Sequence, residues 1–513
     1  MVLCNRCQPS EVMRPCVLRD GGPCLVCKED MELAQKIQEL QDRRRILRTH
    51  VNASHDPFHF KFPPEIASFI FSLSVTTWEH QPNFYTSRIL PTPFLLGSVN
   101  RRWRQLARST PQLWSTLSFT LDKQTGIQSL PHIHDWLQLS GSLPLSFYIF
   151  TDIFNDRETT PAVQEIYDPV IDALNQHSGR WHKAVLHLPT PFFNRFCGTS
   201  PPYNLWDLRL ANTSIPNNSR DISPIFRMNW QPSPTRLTIT CLPLSGIDIG
   251  WDNLTSLTIG TATTVECIEA IRRAPLLEYC SLSNIEPATG DLSISTGIVR
   301  HIRLRELSIS STGGDILTSF MHAMEFPSLE EFTFISGQEY IYLDTDSLIS
   351  LLNRSGSSLK KLTLDTVDGQ TLEGFKKLFD AVPYLQNLRW CSCSDASSIH
   401  VMNDLLQQLS SSPILAGDIP GFFPHLRYLT LTSLTSYSPG TFTWEYIPRI
   451  FSWPHRKFLH LELTTIEIQI DDNDLAKILQ LVDQGVNIRI SEGSGDYLEQ
   501  IKKGLETTRS RKG

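Results

Sequence analysis

A leucine-rich phrase recurs from Leu205 onward at nearly regular intervals. One example is Leu254-x-x-Leu257-x-Ile259. From Leu254 onward, successive phrases begin 23, 27, 25, 30, 26, 41 and 32 residues apart. The phrases begin at Leu205, Leu254, Leu277, Leu304, Leu329, Leu359, Leu385, Leu426 and Phe458, with a shorter form at residues 236–239. Such a recurrence predicts repeated structural units rather than one irregular core.

Each unit is predicted to contain one strand and one helix. In an extended chain, Leu257 and Ile259 point to one side and Thr258 to the other. Between the phrases, apolar residues recur at helical spacing and a proline closes the segment, as in residues 265–271 before Pro275. The same arrangement is found in residues 317–324 and 375–382. Strands that alternate with helices favour an α/β fold with a parallel sheet.

The spacing is typical of leucine-rich repeats, whose units contain roughly 20 to 29 residues. Because one unit cannot bury its apolar side alone, stacked units would form a curved parallel sheet with helices on the outer face. The regular asparagine of strict repeats is missing. We therefore expect an irregular leucine-rich-repeat-like solenoid over residues 181–500, preceded by a connecting helix and strand region at 117–180 and followed by a basic tail at 501–513.

Such a solenoid would expose one row of side chains along its strands. Its predicted members are mostly small and hydroxylic: Arg209, Thr238, Thr258, Ser281, Ser308, Thr333, Thr363, Arg389, Thr430 and Glu462. Threonine is favoured at exposed strand positions for packing reasons alone, so most of this row is expected to be an ordinary solvated face. The predicted contacts with a target protein are Arg209, Arg389 with the adjacent Trp390, and Glu462.

Three short amphipathic helices are predicted upstream, within residues 58–116. Pro64 and Glu65 suit the first turn of a helix. Its apolar face then comprises Ile66, Phe69, Ile70 and Leu73. Thr92 and Pro93 predict the start of a second helix, with the apolar face Leu95, Val99, Trp103 and Leu106. Pro111 opens a third, shorter element.

Short helices of this kind bury little surface by themselves, so a partner would complete them. Residues 62–66 (FPPEI), 99–104 (VNRRWR) and 111–114 (PQLW) resemble the F-box of fungal F-box proteins. Phe62 stands where leucine is usual, and the interval between the first two helices is longer than in a minimal F-box.

The resemblance implies docking on the Skp adaptor subunit of an SCF (Skp-cullin-F-box) ubiquitin ligase, with cullin and RING subunits reached indirectly. It assigns this contact to Pro63, Pro64, Ile66, Ile70, Leu95, Val99, Trp103 and Leu106. The alternative is that Ile70, Trp103 and Leu106 form the core of the helical module itself.

Residues 1–30 are rich in cysteine, with thiols at positions 4, 7, 16, 24 and 27. The pairs Cys4-x2-Cys7 and Cys24-x2-Cys27 have the spacing of a four-thiolate zinc site, so a structural zinc is one prediction and a metal-free segment the other. The six-cysteine binuclear cluster of fungal transcription factors fits poorly, because a sixth cysteine and the usual basic run are missing.

Residues 31–55 are predicted to form an amphipathic helix. Apolar residues recur alternately four and three positions apart at Leu33, Ile37, Leu40, Leu47 and Val51, if Arg44 occupies the one polar position. This seam predicts either a short coiled coil or packing on a neighbouring domain. The charges at Arg43, Arg44 and Arg45 are expected to form a solvated face.

The net charge of -7 argues against a nucleic-acid partner. The chain has no signal-peptide pattern and no apolar run of about 18 residues, so we expect a soluble cytoplasmic or nuclear protein without a membrane partner. No catalytic motif was found, so no enzymatic activity and no required cofactor are predicted. A ligase adaptor for an unknown protein substrate is the main hypothesis; alternatives are an interaction scaffold outside any ligase and a zinc-dependent DNA-binding protein.

Overall fold

The computed structural model describes residues 24–54, 57–75, 92–121, 126–151, 161–213, 225–287, 297–311, 314–336, 343–356, 359–365, 372–392, 396–411, 422–433, 442–466, 468–493 and 495–510. The chain divides into two compact units, residues 1–118 with 135–143 and residues 119–134 with 144–513. Among the helices of these described ranges, none combines the length and the apolar character needed to cross a membrane.

The described part of the first unit is mainly helical. Its helices are α1 (Leu25–Ser54), α2 (Pro57–Lys61), α3 (Pro64–Ser74), α4 (Thr92–Val99) and α5 (Arg101–Arg108), followed by a 3-10 helix at Pro111–Trp114. The strand β1 (Thr116–Leu121) and the helix α6 (Gly126–Leu139) contribute residues to both units. The helix α1 begins at Leu25, earlier than the predicted start at residue 31.

The predicted second helix of the F-box-like stretch is interrupted at Asn100. This residue is extended, and its side-chain oxygen accepts a hydrogen bond from the backbone N–H of Trp103 at 2.9 Å. Asparagine in this role satisfies a backbone donor that the first helical turn leaves unpaired. The expectation of one continuous helix over residues 92–106 is therefore wrong, because Asn100 starts a new helix within it.

The second unit is built on a large, mostly parallel sheet, which confirms the predicted α/β class. The sheet begins at β1 and continues, in spatial order, with β2 (Leu145–Thr151), β3 (Trp181–Leu188), β4 (Asp207–Asn212), β6 (Arg236–Thr240), β8 (Ser256–Thr263), β9 (Tyr279–Glu286), β11 (Glu306–Ser311), β13 (Glu331–Ser336), β14 (Lys361–Asp365), β15 (Asn387–Ser392), β16 (Tyr428–Ser433), β17 (His460–Thr465), β18 (Ile488–Glu492) and β19 (Gly495–Asp496). Strands β2 to β18 pair in parallel, and β19 is antiparallel to β18.

Helices lie between most of these strands in the sequence. They are α7 (Pro161–Asn175), α8 (Thr190–Phe193), α9 (Thr264–Arg273), α10 (Gly314–Ala323), α11 (Thr345–Ser355), α12 (Leu372–Asp380), α13 (Ala396–Ser411), α14 (Tyr446–Phe451), α15 (Asp472–Asp483) and α16 (Tyr497–Ser510). Two-residue strands form the separate pairs β5 (Phe226–Arg227) with β7 (Ile247–Asp248) and β10 (Val299–Arg300) with β12 (Met324–Glu325).

The strand register aligns equivalent residues of the repeated phrases. One buried row runs through Leu208, Leu237, Leu257, Cys280, Leu307, Phe332, Leu362, Leu388, Leu429, Leu461 and Ile488. Because side chains alternate along a strand, the residues one position later form an exposed or half-buried row on the opposite face. Helices pack on the same face of the sheet as this row: the ring of Trp390, two residues after Leu388 on β15, lies 4.3 Å from the ring of Phe375 on α12.

Short polar residues begin several of these helices. Thr263, the last residue of β8, and Glu266 form a reciprocal capping box at the start of α9. Asp344 and Asp471 accept hydrogen bonds from the backbone N–H groups of Ser347 and Asp474 in the same way. The bond from the Ser347 hydroxyl is the main cause that lowers the pKa of Asp344. Each cap pairs a backbone N–H of the first helical turn and so fixes where its helix begins; at Thr263 the same residue also ends the strand.

The parallel sheet extends further toward the N-terminus than the predicted solenoid. Strand β2 lies in the segment predicted as a connection, and its Leu145-to-Phe150 stretch pairs with β3. The phrase at residues 236–239 is a full strand, paired on both sides. The predicted basic tail overlaps α16, which continues to Ser510.

We expect the buried row to dominate the stability of the second unit. Phe332 is fully buried at the centre of the sheet, so Phe332→Ala should lower the free energy of unfolding by about 3 to 5 kcal/mol. The matched control Thr333→Ala, one residue away on the opposite face, should cost less than about 1 kcal/mol. Urea denaturation followed by circular dichroism measures both, and equal losses would contradict this assignment of the two faces.

Candidate protein-docking surfaces

The first unit has a small aromatic core between α3 and α5. The Trp103 ring lies 4.9 Å from Phe71 and 5.0 Å from Phe58, and Phe71 is almost fully buried. Trp103 itself is half-buried. The ring of Trp103 is therefore largely occupied by contacts within its own unit, so it is less available to a partner than the sequence pattern suggests.

A second cluster surrounds the 3-10 helix. The indole N–H of Trp114 donates to the carbonyl of Ala107 at 2.7 Å, and its ring packs against Phe94 and Trp136. Leu106, the residue before Ala107, is also buried, and only 8% of its surface is exposed. The prediction that Leu106 contacts a Skp subunit is therefore wrong for this structure, because its side chain is in the core of the unit.

Several apolar side chains of α3 remain exposed to solvent. Ile66, Phe69 and Leu73 are 45%, 60% and 70% exposed, whereas Ala67 and Phe71 on the same helix are buried. Their spacing of three and four residues places them on one helical face. The helix α3 therefore has two apolar faces, and among the described residues of the unit only one of them is packed. We call Ile66, Phe69 and Leu73 the docking face.

Five of the eight sequence-predicted contacts are exposed, Ile66 among them. Leu95 and Val99 are exposed on α4, as are Pro63 and Pro64 at the start of α3. Ile70 is half-buried. Phe69 and Leu73 were recognised in the helical pattern but were not assigned to the contact. Periodicity identified the exposed face of α3 and not the face with Ala67 and Phe71, which packs internally.

On the face opposite its core, the second unit has a row of half-buried and exposed strand residues. Arg209, Thr238, Thr258, Ser281, Ser308, Thr333, Thr363, Arg389, Thr430, Glu462 and Arg489 are successive register partners; we call them the central row. From β6 to β14 the central row contains only serine and threonine. Longer and charged side chains are confined to its two ends.

At the first end of the central row, Arg209 is engaged within the sheet. Its guanidinium contacts the carboxylate of Asp207 at 2.9 Å, and the ammonium group of Lys183 contacts the same carboxylate at 3.2 Å. Lys183 and Asp207 are almost fully buried. A buried carboxylate is stabilised by paired cations, so Arg209 helps to neutralise Asp207 as well as facing solvent.

At the other end, Arg389 is exposed beside an aromatic pair. Asn387 and Tyr428 are register partners on β15 and β16, so Tyr428 lies on the same face as Arg389, one strand away. The Tyr428 ring is 52% exposed and lies 5.7 Å from His460. Glu462 lies 3.8 Å from Arg489 on β18. Tyr428 was not predicted, because the expected exposed row took from this phrase only Thr430, the residue between Leu429 and Leu431.

Trp390 is not available to a target protein. It is fully buried and its ring packs on Phe375 of α12. Strand alternation directs Trp390 toward the helices and Arg389 toward solvent. The predicted contact between Trp390 and a target is therefore wrong.

The predicted zinc ligands are described only in part. Cys24 and Cys27 lie at the start of α1 and are half-buried, whereas Cys4, Cys7 and Cys16 lie outside the described residues. Within the described ranges, no three His, Cys, Asp or Glu side chains form a group suited to a metal ion. The four-thiolate site therefore stays a prediction.

In the second unit, burial raises the pKa of Cys267 to about 12, so this thiol remains protonated at neutral pH.

His187, on β3, should make the stability of the second unit depend on pH. Burial, and secondly the positive charge of Arg209, lower its pKa from the usual value of 6.5. The unfolded chain therefore binds the proton at a higher pH than the folded chain. The free energy of unfolding should fall as the pH drops below about 6.5, until the lower folded pKa is reached.

The variant His187→Asn should show a smaller loss of stability between about pH 7 and pH 5. The loss should not vanish, because burial also lowers the pKa of His177 and His455. Urea denaturation at several pH values measures the dependence, with pH 8 as the reference condition. An unchanged slope in the variant would rule out a contribution from His187.

Comparison with known proteins assigns no family. No protein-family model matches the chain, and no curated protein sequence matches it either. A function is therefore inferred from the residues of the chain itself.

Proposed function

We propose that this protein is the substrate-recognition adaptor of an SCF ubiquitin ligase. In this proposal the F-box-like helices dock on the Skp adaptor subunit, and the leucine-rich-repeat-like solenoid of the second unit binds a target protein. The observation that carries the proposal is the docking face, where Ile66, Phe69 and Leu73 remain exposed on a helix whose opposite face is packed. Exposed apolar groups of this size are costly in water and typical of a surface that a partner covers.

The proposed mechanism is one of proximity. An adaptor that holds a target near a carrier protein loaded with ubiquitin raises the effective concentration of the target's lysines. This requires no catalytic acid or base in this chain. Two separate surfaces are needed for this role. The docking face in the first unit and the central row in the second unit provide them.

An interaction scaffold outside any ligase would use the same two surfaces. The two hypotheses differ in the partner of the docking face. In the ligase adaptor this partner is a Skp subunit, whereas in the scaffold it is another protein. Binding to a purified Skp subunit therefore separates them.

The double variant Ile66→Asp, Leu73→Asp should lose binding to the Skp subunit. Each substitution would place an unpaired carboxylate in an apolar contact, and we expect a loss of about 3 kcal/mol or more, equivalent to at least about a hundredfold in Kd. Isothermal titration calorimetry with the full chain and a purified fungal Skp subunit measures this. Both side chains are exposed in the structure, so the fold should persist.

The matched control is Tyr203→Asp, Phe458→Asp, which adds the same charge at two exposed side chains of the second unit. This control should bind the Skp subunit as the wild type does. Wild-type protein that is folded but does not bind would refute the ligase proposal and favour the scaffold. Equal binding by the docking-face variant and the wild type would show that another surface makes the contact.

For the target, we propose that the contact centres on Arg389 and Tyr428. Arginine and tyrosine dominate binding energy at protein interfaces, and both side chains are exposed on one face of adjacent strands. The variant Arg389→Glu, Tyr428→Ala should deplete specific proteins from a proximity-labelling profile while Skp binding is retained. Arg303→Glu, a charge reversal at another exposed arginine, serves as the control. Profiles that do not differ between the variant and the control would contradict this location.

A further inference from the structure

The helix α1 exposes an apolar seam along most of its length. It contains 30 residues and is therefore about 45 Å long. Its seam residues Leu33, Ile37, Leu40, Leu47 and Val51 are between 50% and 64% exposed. They recur alternately four and three positions apart, which is the repeat of a coiled coil. A helix with this seam exposed would gain stability from a second helix packed along it.

Charge is divided unequally between the two halves of α1. Residues 25–42 contain five acidic and two basic side chains, a net charge of -3. Residues 43–54 contain four arginines and no acidic residue, a net charge of +4 with histidine neutral. Neighbouring charges stabilise the helix locally, as in the contact of 3.1 Å between Arg45 and Asp42. The division between the halves nevertheless gives the helix an acidic end and a basic end.

We propose that α1 forms an antiparallel coiled coil with α1 of a second copy of this chain. In this arrangement the acidic half of each helix faces the basic half of the other. A parallel pair would instead place Arg44 opposite Arg44 of the second copy, and the four arginines of each chain beside those of the other. Like charges at such close positions are unfavourable, so the charge pattern selects the antiparallel orientation.

The two charged positions of the seam also suit this orientation. Asp30 and Arg44 both continue the alternating spacing of four and three that defines the seam. In one register, Ile37 packs opposite Leu40 of the second copy. Leu33 then lies opposite Arg44 of the second copy, and Asp30 lies opposite Leu47 of the second copy. Asp30 of one chain and Arg44 of the other then occupy adjacent layers. An opposite pair within an apolar seam fixes register and orientation.

The oligomeric state of the full chain tests the seam. Sedimentation equilibrium should show a reversible dimer, and Ile37→Asp, Leu40→Asp should weaken dimerisation at least about a hundredfold. The matched control Gln35→Asp, Thr49→Asp adds the same charge on the opposite side of the helix and should leave the dimer intact. A wild type that stays monomeric at its highest soluble concentration, or a dimer that the seam variant retains, would overturn the proposal.

Charge reversal tests the orientation. A first variant changes Arg43, Arg44 and Arg45 to Glu, and a second changes Glu29, Asp30 and Glu32 to Lys. In an antiparallel dimer each variant alone should self-associate weakly, a mixture of the two should form heterodimers, and both sets in one chain should restore the homodimer. Dimers unaffected by either set would indicate a parallel pair and contradict the proposal. Because the docking face is not involved, Skp binding by these variants separates this proposal from the proposed function.

Discussion

The alternation of side chains along parallel strands is the constraint on which the second unit depends. Each strand places one set of apolar residues toward the helices and the intervening residues toward solvent. The in-register pairing joins these sets into continuous rows, so Phe332 is packed between Leu307 and Leu362 of the adjacent strands. No single strand and helix could bury such a row alone. The exposed central row is the necessary counterpart of the buried one.

The first unit satisfies the same requirement only in part. The cluster of Phe58, Phe71 and Trp103 is buried within it, whereas the apolar face at Ile66, Phe69 and Leu73 is not. Helix α1 likewise leaves an apolar seam exposed to solvent, over a greater length. Apolar surface left in water costs free energy roughly in proportion to its area, and association with another protein removes this cost. Both proposals, docking on a Skp subunit and pairing of α1, follow from this difference between the two units.

Much of the fold could be predicted because it depends on local patterns. The phrase around Leu257 specifies a strand whatever lies beside it, and prolines and caps mark the helix ends. The contacts of individual side chains could not be predicted in the same way. Leu106 and Ile66 have the same apolar character, yet one is buried and the other exposed. Trp390 and Arg389 are adjacent in one strand, yet one is buried and the other is exposed. Tyr428 lies on the same face as Arg389 because it pairs with Asn387, which is 41 positions earlier in the sequence.

The in-register sheet sets different tolerances for two kinds of sequence change. An insertion or deletion of one residue within a strand such as β14 would reverse its two faces. Leu362 would then point toward solvent and Thr363 toward the helices. Adding or losing residues between strands has no such effect, since 20 residues separate Leu237 from Leu257 and 41 separate Leu388 from Leu429 while both pairs remain aligned. Insertions between strands, rather than changes within them, are therefore the route by which a protein of this architecture could diversify its surface while its core is inherited unchanged.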